Sequence, residues 1–359
     1  MFWEMDKGNH ENTLKEINEY LLSFFQFAAQ SASTEFQESE WIAFAGIPGK
    51  WLYLVYKRDA KNGKEMHSAI DQLFLLERRE RKKIYKAIVH DHTFSQEHTS
   101  EFKLESTALK PEYQKILKGF YLYFYNVSLY SSQFEVRGKK FGRKELAEKF
   151  FEGKNAPLRT VCPVCLQSMT NAEKEDEIEH YFGKAFVPCL ALHPDNLYFC
   201  CPTCNKIYKG IRSPFYRKSQ DIRKIFLPYL DVIREQVKIE FTHHENQDGV
   251  KLVPENRKKA YIEEKIEAVE NIFQLEERWS GMLEVYFSAL TAEYEAFGAT
   301  DIDNLKKEME RDLKKAKAKV KVCPNLYIET EYLEWLYQKQ LKAFYSNMKQ
   351  KDDKPVIVQ

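Results

Sequence analysis

The chain lacks several features that would settle its class at once. No apolar run approaches the roughly 18 to 20 residues that a bilayer-spanning helix needs, which excludes a protein built on hydrophobic helical spans. The opening stretch, MFWEMDKGNHENTLKE, has neither the basic start nor the apolar core of a secretory leader, so a cytoplasmic location is the expectation. Excess charge of one sign is missing too. The 55 Lys and Arg residues face 54 Asp and Glu, for a net charge of +1, so any binding to nucleic acid must come from local patches. There is no internal repeat and no low-complexity tract.

What is present is a long, aromatic-rich globular pattern. The 359 residues suffice for two or three units with sizeable cores, and 25 Phe with 21 Tyr imply cores dominated by rings. Residues 1–157 read as a mainly helical region. ENTLKEINEYLLSFFQFAAQ carries Leu14, Ile17, Leu21, Leu22 and Phe25 at helical spacing. SAIDQLFLLERRERKKIYKAIVHD reads as one helix, and PEYQKILKGFYLYFYNVSLYSS opens on a proline suited to a first helical turn. RKELAEKFFEG reads as a helix capped by its glycine, while GIPGK breaks the segment from 40 to 56. Residues 158–225 consist of short segments, and residues 226–359 of a hairpin turning at QDG followed by long helices.

Seven cysteines are an odd number, and four fall in two CxxC pairs, Cys162 and Cys165 in CPVC and Cys201 and Cys204 in CPTC. Two thiolates three residues apart on a tight turn reach one tetrahedral zinc ion, and two such turns close a four-sulfur structural site. In a reducing compartment this pattern favours metal over disulfides. Cys201 keeps the CxxC spacing that Cys200 would break. Cys189, Cys200 and Cys323 read as small buried thiols.

A zinc staple demands nothing of EIEHYF or DNLYF between the knuckles. Glu179 and His180 would point to opposite sides of a strand, so one could hold a metal while the other faces a substrate bound there. Asn205 follows Cys204 directly, at the start of a short helix NKIYKG. A carboxylate and an amide oxygen are hard ligands suited to Mg²⁺, and a neutral imidazole can take a proton from an attacking water. Together they describe metal-assisted hydrolysis of a phosphodiester.

The order CPVC, then Glu179-His180, then GKAFVPCLALHPDNL, then CPTCNKIYK resembles the HNH, or ββα-metal, nuclease family over residues 162–209. The resemblance implies a mainly α protein with an embedded small α+β module, a zinc-stapled ββα-metal core flanked by helical regions. It implies His180 as general base, Glu179 and Asn205 as ligands of catalytic Mg²⁺ or Mn²⁺, and Asn196 as the residue that braces the loop and orients the histidine. Lys184 and Lys209 match phosphate contacts. The departures are glutamate at 179, where aspartate is commoner, and Gly183 where many members carry proline. The pattern is also similar to HNH subunits of bacterial anti-phage systems of the Septu type, in which such a subunit pairs with an ATPase.

Basic residues follow at once: NKIYKGIRSPFYRKSQDIRK holds Lys206, Lys209, Arg212, Arg217 and Lys218 among Tyr208, Phe215 and Tyr216, a mix suited to phosphates and bases. The runs RRERKK, RGKKFGRK and KKAKAKVK read as solvated faces, though RGKKFGRK could line the same groove. HDHTFSQEH reads as a polar loop. The acidic EKEDE at 173–177 would repel a phosphate backbone unless it points away. The expectation is a metal-dependent endonuclease acting on DNA. Its alternatives are a nuclease acting on RNA, such as tRNA, and a non-catalytic zinc ribbon that binds nucleic acid or protein.

Overall fold

A computed structural model describes residues 1–46, 64–130, 135–136, 139–169, 178–215, 220–244, 247–299 and 301–352. The described chain is mostly helical, with three antiparallel strand pairs. Helices α1 (Glu11–Gln30), α2 (Glu38–Ala45), α3 (Lys64–Leu75), α4 (Arg78–Asp91) and α5 (Pro111–Asn126) form the N-terminal body. A short ladder, β1 (Glu135–Val136) with β2 (Lys139–Lys140), and α6 (Arg143–Phe150) lead into the cysteine region.

The apolar stripe foreseen in α1 packs against α5. Phe24 stacks on Phe120 with ring centroids 4.9 Å apart, and Phe25 stacks on Tyr121 at 5.6 Å. Trp41 closes the cluster from α2, 5.4 Å from Phe24. Such ring pairs add roughly 0.5 to 1.5 kcal/mol each beyond area burial. Pro111 occupies the first turn of α5, where a missing N–H costs nothing. Gly119 lets α5 approach α3 closely, because a Cβ there would meet the Glu65 carbonyl oxygen at 3.0 Å.

Three helical readings of the sequence need correction. The stretch 68–91 is two helices, with α3 ending at Leu75 and α4 starting at Arg78. The first of the long helices expected after the hairpin, over 257–297, is likewise two, α7 (Ile262–Phe273) and α8 (Leu275–Ala296), divided at Gln274 with φ of 49°. In both cases the apolar periodicity continues across a backbone break, so it marks the buried face and not the break. The helix α6 ends at Phe150 with Phe151 as its cap, and Gly153 takes its positive φ of 58° only beyond that end.

The hairpin β5 (Val237–His244) and β6 (Gln247–Pro254) is present, but its turn is not at QDG. Gln247, Asp248 and Gly249 lie in β6 opposite His244, His243 and Thr242. At the GIPGK break, α2 ends at Ala45 and Gly46 caps it with a φ of 73°; residues 47–50 and 173–177 lie outside the described residues. The helices α9 (Ile302–Val320), α10 (Tyr327–Trp335) and α11 (Leu341–Asp352) complete the chain. No described helix is long and apolar enough to cross a membrane.

One apolar core runs through all three regions of the chain. Phe2 meets Trp279 at 4.7 Å, and the Trp3 amide donates to the Pro163 carbonyl at 3.0 Å. The cysteine region is thus wedged between the two helical bodies. Burial holds His10 and His193 down to about 4 and His92 to about 3, and pushes His180 well below its ordinary range. It also raises Asp91 to about 6 and Glu270 to about 7. On unfolding, the four histidines take up protons below about pH 6.5, so their contribution to stability is lost as pH falls through that value. The two carboxyls act oppositely, because the folded state keeps their protons at pH values where the unfolded chain has released them. The Met1 amine, held down to about 5, acts with the histidines, and the raised carboxyls of Glu179, Glu329 and Glu331 act with Asp91 and Glu270; the larger shifts lie with the histidines and the amine. A thermal melt should therefore give a midpoint about 5 °C or more lower at pH 5 than at pH 7; an equal or higher midpoint contradicts these burials.

Candidate functional site: a cysteine-tied strand pair and its cleft

The four sulfurs of Cys162, Cys165, Cys201 and Cys204 all lie within 4.8 Å of one another, and all four residues are buried. Cys162 and Cys204 are 3.9 Å apart at sulfur, and Cys165 and Cys201 3.8 Å. Tetrahedral coordination at about 2.3 Å puts neighbouring sulfurs roughly 3.8 Å apart, so the cluster could hold a structural zinc. The cluster uses Cys201 and not Cys200. Backbone amides point at the sulfurs, Cys201 N–H to Cys162 Sγ at 3.3 Å and Cys204 N–H to Cys201 Sγ at 3.4 Å. Arg278 from α8 donates to Cys204 Sγ at 3.3 Å, and Trp279 Nε1 donates to the Cys165 carbonyl at 3.0 Å. A guanidinium beside a sulfur cluster offsets the negative charge that metal-bound thiolates carry.

These ties fix what lies between them. Strand β3 (Ile178–His180) pairs with β4 (Leu197–Phe199), with Glu179 opposite Tyr198 and His180 opposite Leu197. After Cys200 and Cys201 the chain enters a π-helical turn, Thr203–Lys209. It closes with the Gly210 amide on the Asn205 carbonyl at 2.7 Å, where Gly210 has a φ of 47° that favours glycine.

Asn196 sits at the base of the loop joining the strands and is fully buried. Its Oδ1 accepts the Phe182 amide at 2.7 Å, and its Nδ2 donates to the carbonyls of Phe182 at 3.1 Å and Leu190 at 2.9 Å. It braces the loop from both ends.

His180 Nε2 lies 3.0 Å from the Ala191 carbonyl. A carbonyl only accepts, so Nε2 carries the proton and Nδ1 is the basic nitrogen. Desolvation, reinforced by Lys184, keeps this imidazole neutral. Glu179 forms a 2.6 Å ion pair with Lys209, whose side chain is 1% exposed. Burial raises the Glu179 carboxyl, and the Lys209 charge opposes that rise.

Glu179, His180, Asn205, Lys184 and Lys209 line one cleft of about 310 Å³. The other expected contacts are arranged differently. Arg212 donates to the Tyr208 carbonyl at 2.6 Å and the Ile272 carbonyl at 3.2 Å. Lys206 is exposed on the π-turn, and Arg217 and Lys218 lie outside the described residues. Two wall residues were not singled out from the sequence. Tyr125 sets its ring edge-on to His180 at 4.3 Å, with the Arg143 guanidinium over that ring at 4.7 Å and the Lys184 ammonium at 4.3 Å. Arg143 belongs to the RGKKFGRK run, which was the available signal; Tyr125 was hidden in an all-round apolar helix.

Elsewhere, Arg78, Arg79, Lys82 and Lys83 of the RRERKK run are exposed, as expected of a solvated face, and with Lys86 they border a cleft of about 800 Å³; Arg81 of the same run is buried. Among the described residues, no second group of metal-ligating side chains assembles. His92 and His193 instead bond the carbonyls of Cys189 and His92. Compared with family models, curated proteins and solved structures, the chain matches none.

Two outcomes test this architecture. Elemental analysis of purified protein should give one zinc per chain, with clear loss in Cys201→Ser and retention in Cys200→Ser; equal zinc in both variants contradicts the ligand set. Asn196→Ala takes away the partner of the buried Phe182 amide and carbonyl and one of the two hydrogen bonds to the Leu190 carbonyl, which keeps the His193 amide. It should lower urea stability by about 3 kcal/mol; a change under 1 kcal/mol would show that the brace is dispensable.

Proposed function

We propose that the chain is a metal-dependent endonuclease of the HNH, or ββα-metal, type that hydrolyses phosphodiester bonds, with DNA as its substrate. The observation that carries this reading is the convergence of Glu179, His180 and Asn205 in one cleft, from segments tied together by the four cysteines. The order strand, loop, strand, helical turn is the order that the resemblance implies.

The donor set fits a hard divalent cation. Glu179 and Asn205 would hold Mg²⁺ or Mn²⁺ with oxygen ligands. When bound, such an ion stabilises charge on the phosphate and on the departing oxygen. His180 acts as general base through Nδ1: its neutral form persists at physiological pH, and the Ala191 carbonyl fixes the ring so that the basic nitrogen is the other one. Tyr125 limits the ring's freedom from one side. Lys184 supplies positive charge within reach of phosphate oxygens in the same cleft, whereas Lys209 is committed to its buried ion pair with Glu179. A pairing with an ATPase in an anti-phage system is carried by the resemblance alone.

One observation favours the non-catalytic reading: the Glu179 carboxylate is already neutralised by Lys209. A cleavage assay separates the two. Supercoiled plasmid and structured RNA are incubated with protein and Mg²⁺ or Mn²⁺, alongside His180→Ala of matched zinc content. The expected result is plasmid nicking that exceeds RNA fragmentation and falls about 100-fold or more in the variant. Equal activity in both proteins, including none in either, overturns the catalytic assignment.

A further inference from the structure

A second pocket of about 360 Å³ adjoins the cleft and shares Gly183, Ala185 and Phe186 with it. Its volume lies at the low end of the roughly 300 to 1,000 Å³ typical of small-molecule sites, so it suits one planar group and not a folded segment. Phe186 stands at the shared edge with 56% of its surface exposed. Across the pocket Phe215 is stacked on Phe182, centroids 5.5 Å apart and planes at 29°. The pocket therefore offers aromatic faces beside the place where a phosphate would be cut.

Its polar groups are amides and hydroxyls. Gln114, from α5, donates its Nε2 to the Ser106 carbonyl, which leaves Oε1 as an acceptor. Gln220 presents its amide near the Thr107 hydroxyl, 3.5 Å from Oε1. Among the described residues, Lys118 is the one charged residue in the lining, and no carboxylate joins it. Neutral amides with aromatic faces are the groups that read a nucleobase edge and stack on its plane.

The wall is also mechanically coupled to the proposed base. Phe182 is two residues from His180, and both its amide and its carbonyl are held by Asn196. Pocket and cleft thus share one brace.

We propose that this pocket receives a nucleobase adjoining the phosphate cut in the neighbouring cleft, stacked by Phe186 and Phe215 and read at its edge by Gln114 and Gln220. The proposal rests on the nuclease reading for its orientation, because the cleft supplies the phosphate position. Phe186 is exposed and Gln220 lies at the surface, so substitution at either leaves the fold intact.

The test uses His180→Ala protein and a series of single-stranded oligonucleotides in which one 2-aminopurine is moved along the strand, so binding is read without cleavage. At one position the fluorescence should change on binding, and that change should vanish in His180→Ala/Phe186→Ala. The double variant should bind about 5- to 150-fold more weakly, the range for loss of one base–aromatic stack. In parallel, wild-type protein and Gln220→Ala are profiled on a randomised substrate, where a base preference at one flanking position should flatten in the variant. Binding without a Phe186-dependent change at any position, no binding at all, or, where the wild type cuts, a cleavage profile unaltered by Gln220→Ala overturns the pocket. A Phe186-dependent change in a protein whose wild type cuts nothing retains the pocket as a base-binding site and removes the nuclease reading.

Discussion

Four sulfurs held within 4.8 Å of one another are the constraint on which this region depends. Without a shared cation, four such groups close together gain little and lose their solvation, and their titration shows the conflict. Hydrogen bonds from neighbouring thiols push Cys201 far down, while burial pushes Cys162 far up. A tetrahedral metal would resolve this by accepting all four as thiolates. The consequence reaches beyond the staple. The cluster joins the turn at 162–165 to the start of the π-turn, which sets Asn205 and Lys209 against β3 although more than twenty residues of chain separate them. Arg278 and Trp279 extend the same constraint to α8, so the C-terminal body presses on the knuckle directly.

Inside that frame, burial decides the chemistry. Glu179 and Lys209 are both nearly inaccessible, and a buried carboxylate survives there only with a partner. His180 stays neutral because its surroundings are dry and already basic, with Lys184, Lys209 and Arg143 all disfavouring a further positive charge. A neutral imidazole with one nitrogen fixed by a carbonyl is what proton abstraction requires. The same basic surroundings would suit a phosphate, so in the proposed reading one electrostatic environment serves both roles.

Much of this was legible in the sequence. The CxxC spacing carried the sulfur cluster, because three-residue spacing on a turn has a direct geometric meaning. Glu179, His180 and Asn205 were legible as a group because both ends of their segment were tied. The brace role of Asn196 came from the resemblance, since its place before an apolar strand suits a turn residue equally well. Lys209 was read as a surface phosphate contact, yet it is buried against Glu179; the charge run around it showed only composition, not which lysine turns inward. Tyr125 was illegible, because its helix is apolar on nearly every face and nothing local distinguishes the ring that meets His180. The helix breaks at 76–77 and Gln274 escaped for a related reason: periodicity follows burial, and burial continues across them. The turn of the hairpin was misplaced because Asp-Gly is a strong turn signal, whereas here Asp248 and Gly249 pair within β6 and the Tyr332 hydroxyl donates to Asp248.

The central claim is that Glu179 and Asn205 hold the ion on which cleavage depends. The most direct measurement is the rate of plasmid nicking as a function of Mn²⁺ concentration for the wild type and Asn205→Ala at equal zinc content. The account predicts that half-saturation shifts to at least about tenfold higher Mn²⁺ in the variant, as expected when one oxygen ligand is lost. Superimposable metal dependences would contradict it.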